Sequence, residues 1–86
     1  MRLKAVEGLE LRTVGDEVLV HHPAAQKIHV LNQSAGEVLR LCDGTRDLED
    51  IVSCVSSANN IEAASVRDDI TRIVDQFSQI GLIREV

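Results

Sequence analysis

The chain has 86 residues, 44% of them hydrophobic and nearly all of those aliphatic, with one Phe and no Trp or Tyr, so one domain spanning residues 1–86 with a thin Leu, Ile and Val core is expected. Fourteen acidic against nine basic residues give a net charge of −5, which argues against a nucleic-acid partner because phosphate binding rests on clustered Lys and Arg. No apolar run approaches the roughly 18 residues that cross a bilayer, and the first residues lack the apolar stretch of a signal peptide, so a cytoplasmic chain without a membrane partner is expected.

Leu9, Leu11 and Thr13 alternate with Glu10, Arg12 and Val14, which predicts a first strand over residues 9–14, closed by a Gly15-Asp16 turn. Glu17 to His22 follows as a second strand, with Val18 and Val20 on one face and Leu19 and His21 on the other. Pro23-Ala24-Ala25 interrupts it, since proline offers no amide to a ladder. Gln26 to Leu31 is the third strand, where Ile28 and Val30 alternate with His29 and Leu31. Strands consecutive in sequence and joined by short turns pair as an antiparallel meander.

Asn32 is placed to cap a first helix, in which Ala35, Val38, Leu39 and Cys42 share one face while Glu37 and Arg40 point away, and Asp43-Gly44 is expected to end it. Asp47 caps a second helix with Leu48, Ile51, Val52 and Val55 as its buried stripe, which stops in the polar run Ser56 to Asn60. A longer third helix runs to about Ile80 on the stripe Val66, Ile70, Ile73, Val74 and Phe77. Gly81 ends it, and Leu82 to Val86 form a short extended tail. The fold class expected is therefore α+β, winged helix-turn-helix-like, with an N-terminal three-stranded antiparallel meander followed by three helices.

Nothing in this order spells catalysis. The five glycines are scattered turn residues rather than a phosphate loop, and the carboxylates are spread over helix starts and solvated faces. His21 and His29 are expected near each other across the second and third strands, but neither cysteine lies on those strands to complete a metal site. Cys42 and Cys54 are read as buried reduced thiols on helix faces. No catalytic residue, metal or cofactor is assigned, and the function expected is binding.

The run V-L-N-Q-S-A-G-E-V-L-R-L-C-D-G-T-R-D-L-E-D-I-V, Val30 to Val52, resembles the core of the PqqD family, the peptide chaperones of pyrroloquinoline quinone biosynthesis, above all in Leu31-Asn32 and Asp43-Gly44 at that separation. The closing run from Val66-Arg67-Asp68-Asp69-Ile70 through Phe77 to Gly81-Leu82-Ile83 is similar to the family's last helix, so the likeness covers residues 9–84. The resemblance implies a non-catalytic recognition element for ribosomally made, modified peptides. It implies that the leader segment of a precursor adds as a strand to the sheet edge against the third helix and is presented to a modifying enzyme, such as a radical SAM enzyme. The product is open, because similar domains serve lasso and sulfur-bridged peptides as well as the quinone.

On that reading the third strand is the sheet edge, and the peptide-binding residues are Lys27, Ile28, His29, Val30 and Leu31 on it. Arg67, Thr71, Val74 and Ser78 on the third helix join them, with the opposite flank, Asp69, Arg72 and Gln76, as the alternative. A bare edge also allows self-pairing, so the chain is expected as a monomer or a strand-exchanged dimer. Two rival readings stand beside this one. A winged helix-turn-helix DNA-binding regulator shares the architecture, but its would-be recognition helix carries Arg67 and Arg72 against Asp68, Asp69 and Asp75. An enzyme-docking subunit that holds no peptide is the other.

Overall fold

The computed structural model describes all residues, Met1–Val86. It contains two three-stranded antiparallel sheets and three helices in the order β1 (Arg2–Ala5), β2 (Glu10–Val14), β3 (Glu17–His22), β4 (Lys27–Asn32), α1 (Gln33–Leu41), β5 (Asp43–Asp47), α2 (Leu48–Asn59), α3 (Ala63–Gln79) and β6 (Ile83–Glu85). The expected meander is present as the sheet β2-β3-β4, with a 3-10 turn at Pro23–Ala25 between its last two strands. Gln26 closes that turn at φ 54°, in the left-handed region, so β4 begins one residue later than the alternation suggests.

Register decides which face of each strand is buried. Val18 opposes Leu31 and Val20 opposes His29, so His29 and Leu31 share the inner face with the buried Val18 and Val20. Ile28 and Val30 therefore face outward and stay 66% and 57% exposed. The same register separates two histidines expected to be neighbours. His21 opposes Ile28 on the outer face, where its ring lies 3.3 Å from Glu10, while His29 lies on the inner face, as does His22. Side chains alternate along a strand, so an odd offset in the pairing puts His21 and His29 on opposite sides of the sheet.

The second sheet, β5-β1-β6, has β1 at its centre and ties both ends of the chain together. It corrects the expectation for the first helix, which ends at Leu41 with Cys42 as its cap, so that Asp43 to Asp47 is a strand. Gly44, at φ +88°, sits in the irregularity of the β1–β5 pairing, where Leu3 opposes Arg46 but Lys4 opposes Asp43. A glycine supplies the left-handed residue that such a bulge needs. Asp43 holds the bulge together. Its carboxylate accepts from the Thr45 hydroxyl at 2.6 Å and the Thr45 amide at 3.0 Å, and pairs with Arg46 at 2.8 Å. These contacts, the Thr45 hydroxyl first, hold the Asp43 carboxyl below the usual carboxylate range. With a strand between α1 and α2 where a bare turn was expected, the winged helix-turn-helix description fits only loosely, while the α+β class and the meander followed by three helices stand.

One cluster of 13 buried residues joins both sheets to the helices, including Leu3 from β1, Val18 and Val20 from β3, Leu39 from α1, Ile51 from α2 and Phe77 from α3. All are hydrophobic, and the only other buried residue is Gly36, where α1 lies directly on Val18. Cys42 is among the 13 and Cys54 is half-buried, both as free thiols. No helix is long and apolar enough to cross a membrane.

Candidate functional site

β4 bonds to β3 on one side only, so along its other side half of its amides and carbonyls have no ladder partner. It passes into α1 without a loop. Asn32 is both the last strand residue and the helix cap, its side-chain oxygen accepting from the Ala35 amide at 2.8 Å. That local signal fixes the direction of α1 as it leaves the sheet and places its first turn at the end of the free edge.

A hollow of about 230 Å³ opens between that helix and α3, with no β4 residue in its lining. Its walls are Ser34, Glu37 and Val38 of α1 and Val66, Asp69, Ile70 and Ile73 of α3, closed by Val55 and Asn59 of α2 and by Ile61. Six of the ten lining residues are aliphatic, Ser34 and Asn59 are polar, and α1 and α3 each bring one carboxylate, Glu37 and Asp69. At that size it accepts one large side chain rather than a small-molecule cofactor, whose sites run from about 300 Å³ upward.

The five strand residues expected at the site lie along the free edge, with Lys27, His29 and Leu31 alternating inward and Ile28 and Val30 outward. None of the four helix residues lines this hollow. Arg67 pairs with Glu49 of α2 at 2.7 Å, and the Thr71 hydroxyl donates to the Arg67 carbonyl. Val74 is 8% exposed and looks onto a different hollow with Leu3, Leu48 and Glu49, and Ser78 is exposed to solvent. Of the opposite flank, Asp69 lines the hollow beside α1, and Arg72 pairs with it at 3.2 Å.

Periodicity alone did not reveal Glu37, Val66 and Ile73 as lining residues. Val66 and Ile73 belong to the apolar stripe, and Glu37 lies half-buried although the helical spacing turns it away from the core. The signal is the width of the α3 stripe. Five apolar positions cover more of the helix circumference than one neighbour buries, which leaves a flank for the hollow.

Other chemistry finds little support. No group of three or more His, Cys, Asp and Glu side chains is gathered for a metal ion. On α3 both basic residues face carboxylates, Arg67 with Glu49 and Arg72 with Asp69, and Asp68 and Asp75 add further negative charge, so the helix is a poor surface for phosphate. His22 Nδ1 and His29 Nε2 are sealed from solvent without a hydrogen-bond partner.

No curated protein matches the chain. Two solved structures share its fold. One is TbiB1 in complex with the TbiA(beta) leader peptide, similar at 16% identity with a TM-score of 0.78 over 96% of both chains. The other is the PqqD truncation of Methylobacterium extorquens PqqCD, described as a functional and stand-alone recognition element for ribosomally synthesized and post-translationally modified peptides. It is similar at 19% identity with a TM-score of 0.78, over 96% of this chain and 88% of that one. The model of the family described as Coenzyme PQQ synthesis protein D (PqqD) matches residues 17–83, from the first residue of β3 to the first of β6. That span contains the β4 edge, the strand-to-helix junction and all three helices, and the chain belongs to the PqqD family.

Proposed function

We propose that this chain binds the leader segment of a ribosomally made precursor peptide as an added strand on β4, performs no chemistry on it, and presents it to a modifying enzyme such as a radical SAM enzyme. The observation that carries this is the unpaired edge of β4, a strand that passes directly into α1, whose Ser34, Glu37 and Val38 wall a side-chain-sized hollow against α3. Edge addition supplies affinity through main-chain hydrogen bonds and selectivity through pockets for alternate side chains, and the chain has a free strand edge and, starting two residues beyond it at Ser34, a hollow. Support comes also from family membership and from the leader peptide in the TbiB1 complex.

Amide hydrogen exchange tests the reading. In an antiparallel pair alternate residues of β4 direct their amides to β3 and to the open edge. The first set is protected in the free protein, and the second gains protection when a leader peptide binds. Exchange at Lys27–Asn32 that does not change at saturating leader concentration rejects strand addition. Self-pairing through the same edge is distinguished by protection that rises with protein concentration alone.

The outer face of the meander favours a second, compatible reading, docking on the enzyme. Val14, Ile28 and Val30 are exposed large hydrophobic residues on that face, next to Leu19. Clustered apolar side chains of this kind mark protein contacts. Val14→Lys, on β2 and away from the β4 edge, should then weaken association with the enzyme while leaving leader-induced protection of β4 intact.

A further inference from the structure

We infer that the hollow between α1 and α3 selects a peptide carrying an aliphatic side chain with a Lys or Arg two residues away on the same face of the added strand. This rests on the strand-addition reading and specifies its ligand. The apolar part follows from the walls, where Val38, Val66, Ile70 and Ile73 offer only aliphatic surface and the volume of about 230 Å³ admits one side chain.

The charged part follows from Glu37 and Asp69, one on each helix at the same hollow. Glu37 is half-buried and forms no ion pair. Arg40, one turn further along α1 and its natural partner, donates to Thr13 of β2 at 3.0 Å. Asp69 is paired with Arg72, but at 3.2 Å with both side chains about two-thirds exposed, a contact that an incoming cation competes with easily. A strand presents every second side chain to the same face, so when one fills the hollow, its neighbours two residues away are the ones positioned for the carboxylates. A peptide with acidic residues there meets two negative charges and is disfavoured.

Selection of a displayed library of random extended peptides on the full chain, followed by titration of one recovered peptide with amide detection, tests this. The expected result is enrichment of an aliphatic residue with Lys or Arg two positions away. Replacing that Lys by Gln in the peptide should weaken binding by about two- to fivefold, and the paired substitutions Glu37→Gln and Asp69→Asn in the protein should remove the difference between the two peptides. The peptide-side change needs no altered protein, so a variant that folds poorly does not prevent a decision. Peptides that shift the β4 amides but show no basic preference, or whose preference survives the paired substitutions, overturn the charge rule and leave strand addition standing. If no recovered peptide shifts the β4 amides, the strand-addition reading falls, and the rule with it.

Discussion

Gly36 is the point at which α1 meets the meander. A Cβ built there would lie 2.5 Å from Val18 Cγ2 and 3.0 Å from Val18 Cβ. Alanine gains about 1 kcal/mol in helix propensity over glycine, whereas overpacking a filled core costs about 1–3 kcal/mol, so Gly36→Ala should destabilise on balance. Val18→Ala in the same chain should recover part of that loss, and urea midpoints of the two single variants and the double variant measure the coupling. Cys42 gives a second residue-level test. Its thiol donates to the Val38 carbonyl at 3.3 Å, and burial, with the Asp43 charge second, pushes its pKa up from 9.0 to about 11. The folded pKa exceeds the unfolded one, so this contribution to stability is whole below pH 9 and is lost as pH rises toward 11, where the unfolded chain releases the proton and the folded chain retains it. The wild-type chain should therefore lose more stability over that interval than Cys42→Ala, as denaturant titrations at stepped pH would show. In the sequence Gly36 counts among the turn glycines, although it lies inside α1, and Cys42 reads as a buried thiol on a helix face. The role of Gly36 comes from its contact with Val18, which is not local to the helical pattern, whereas the burial of Cys42 follows from the apolar helix face it shares with Val38 and Leu39.

At the scale of elements, legibility followed locality. Asp47 was readable as a cap because its function lies within four residues. It accepts from the Asp50 amide at 2.8 Å, and the Asp50 side chain accepts from the Asp47 amide at 3.2 Å, which completes a capping box. Asp47→Ala should cost about 0.5–2 kcal/mol, which lowers the melting temperature by about 4–8 °C per kcal/mol in a domain of this size, while Asp47→Asn should retain most of the cap. A calorimetric scan of the two variants checks the order. β5 was not readable, since Asp43-Gly44 carries a helix-stop signal and what makes the segment extended is pairing with β1, some forty residues earlier in the chain. The orientation of β4 was hidden for a related reason. Alternation gives two faces, but only the register against Val18 and Val20 says that His29 and Leu31 turn inward. The free edge itself was legible, because strand order follows from three consecutive strands with short turns. The helix flank facing the hollow was not, since Val66, Ile73 and Val74 all belong to one apolar stripe and tertiary packing divides it.

At the scale of the molecule, the N-terminal strand binds the far ends of the chain to each other, and removing it should be worse than its length suggests. β1 is the central strand of its sheet, so deletion of residues 1–6 leaves β5 and β6 without a shared partner. The deletion also removes the bonds from the Ala5 amide to the Cys42 carbonyl and from the Val6 amide to the Leu82 carbonyl, at 2.8 and 2.9 Å. Leu3 is lost from the core at 5% exposure, and emptying a buried leucine site alone costs about 2–5 kcal/mol. A small domain has only about 5–15 kcal/mol of net stability, so the shortened chain should be largely unfolded, with Leu3→Ala folded but markedly weaker. Amide dispersion and the urea midpoint distinguish the three proteins. A shortened chain that keeps its dispersed spectrum and still binds a leader peptide would show that the meander and helices fold without the second sheet. A collapsed spectrum would show that β4, although it lies in the other sheet, depends on β1 through the core they share.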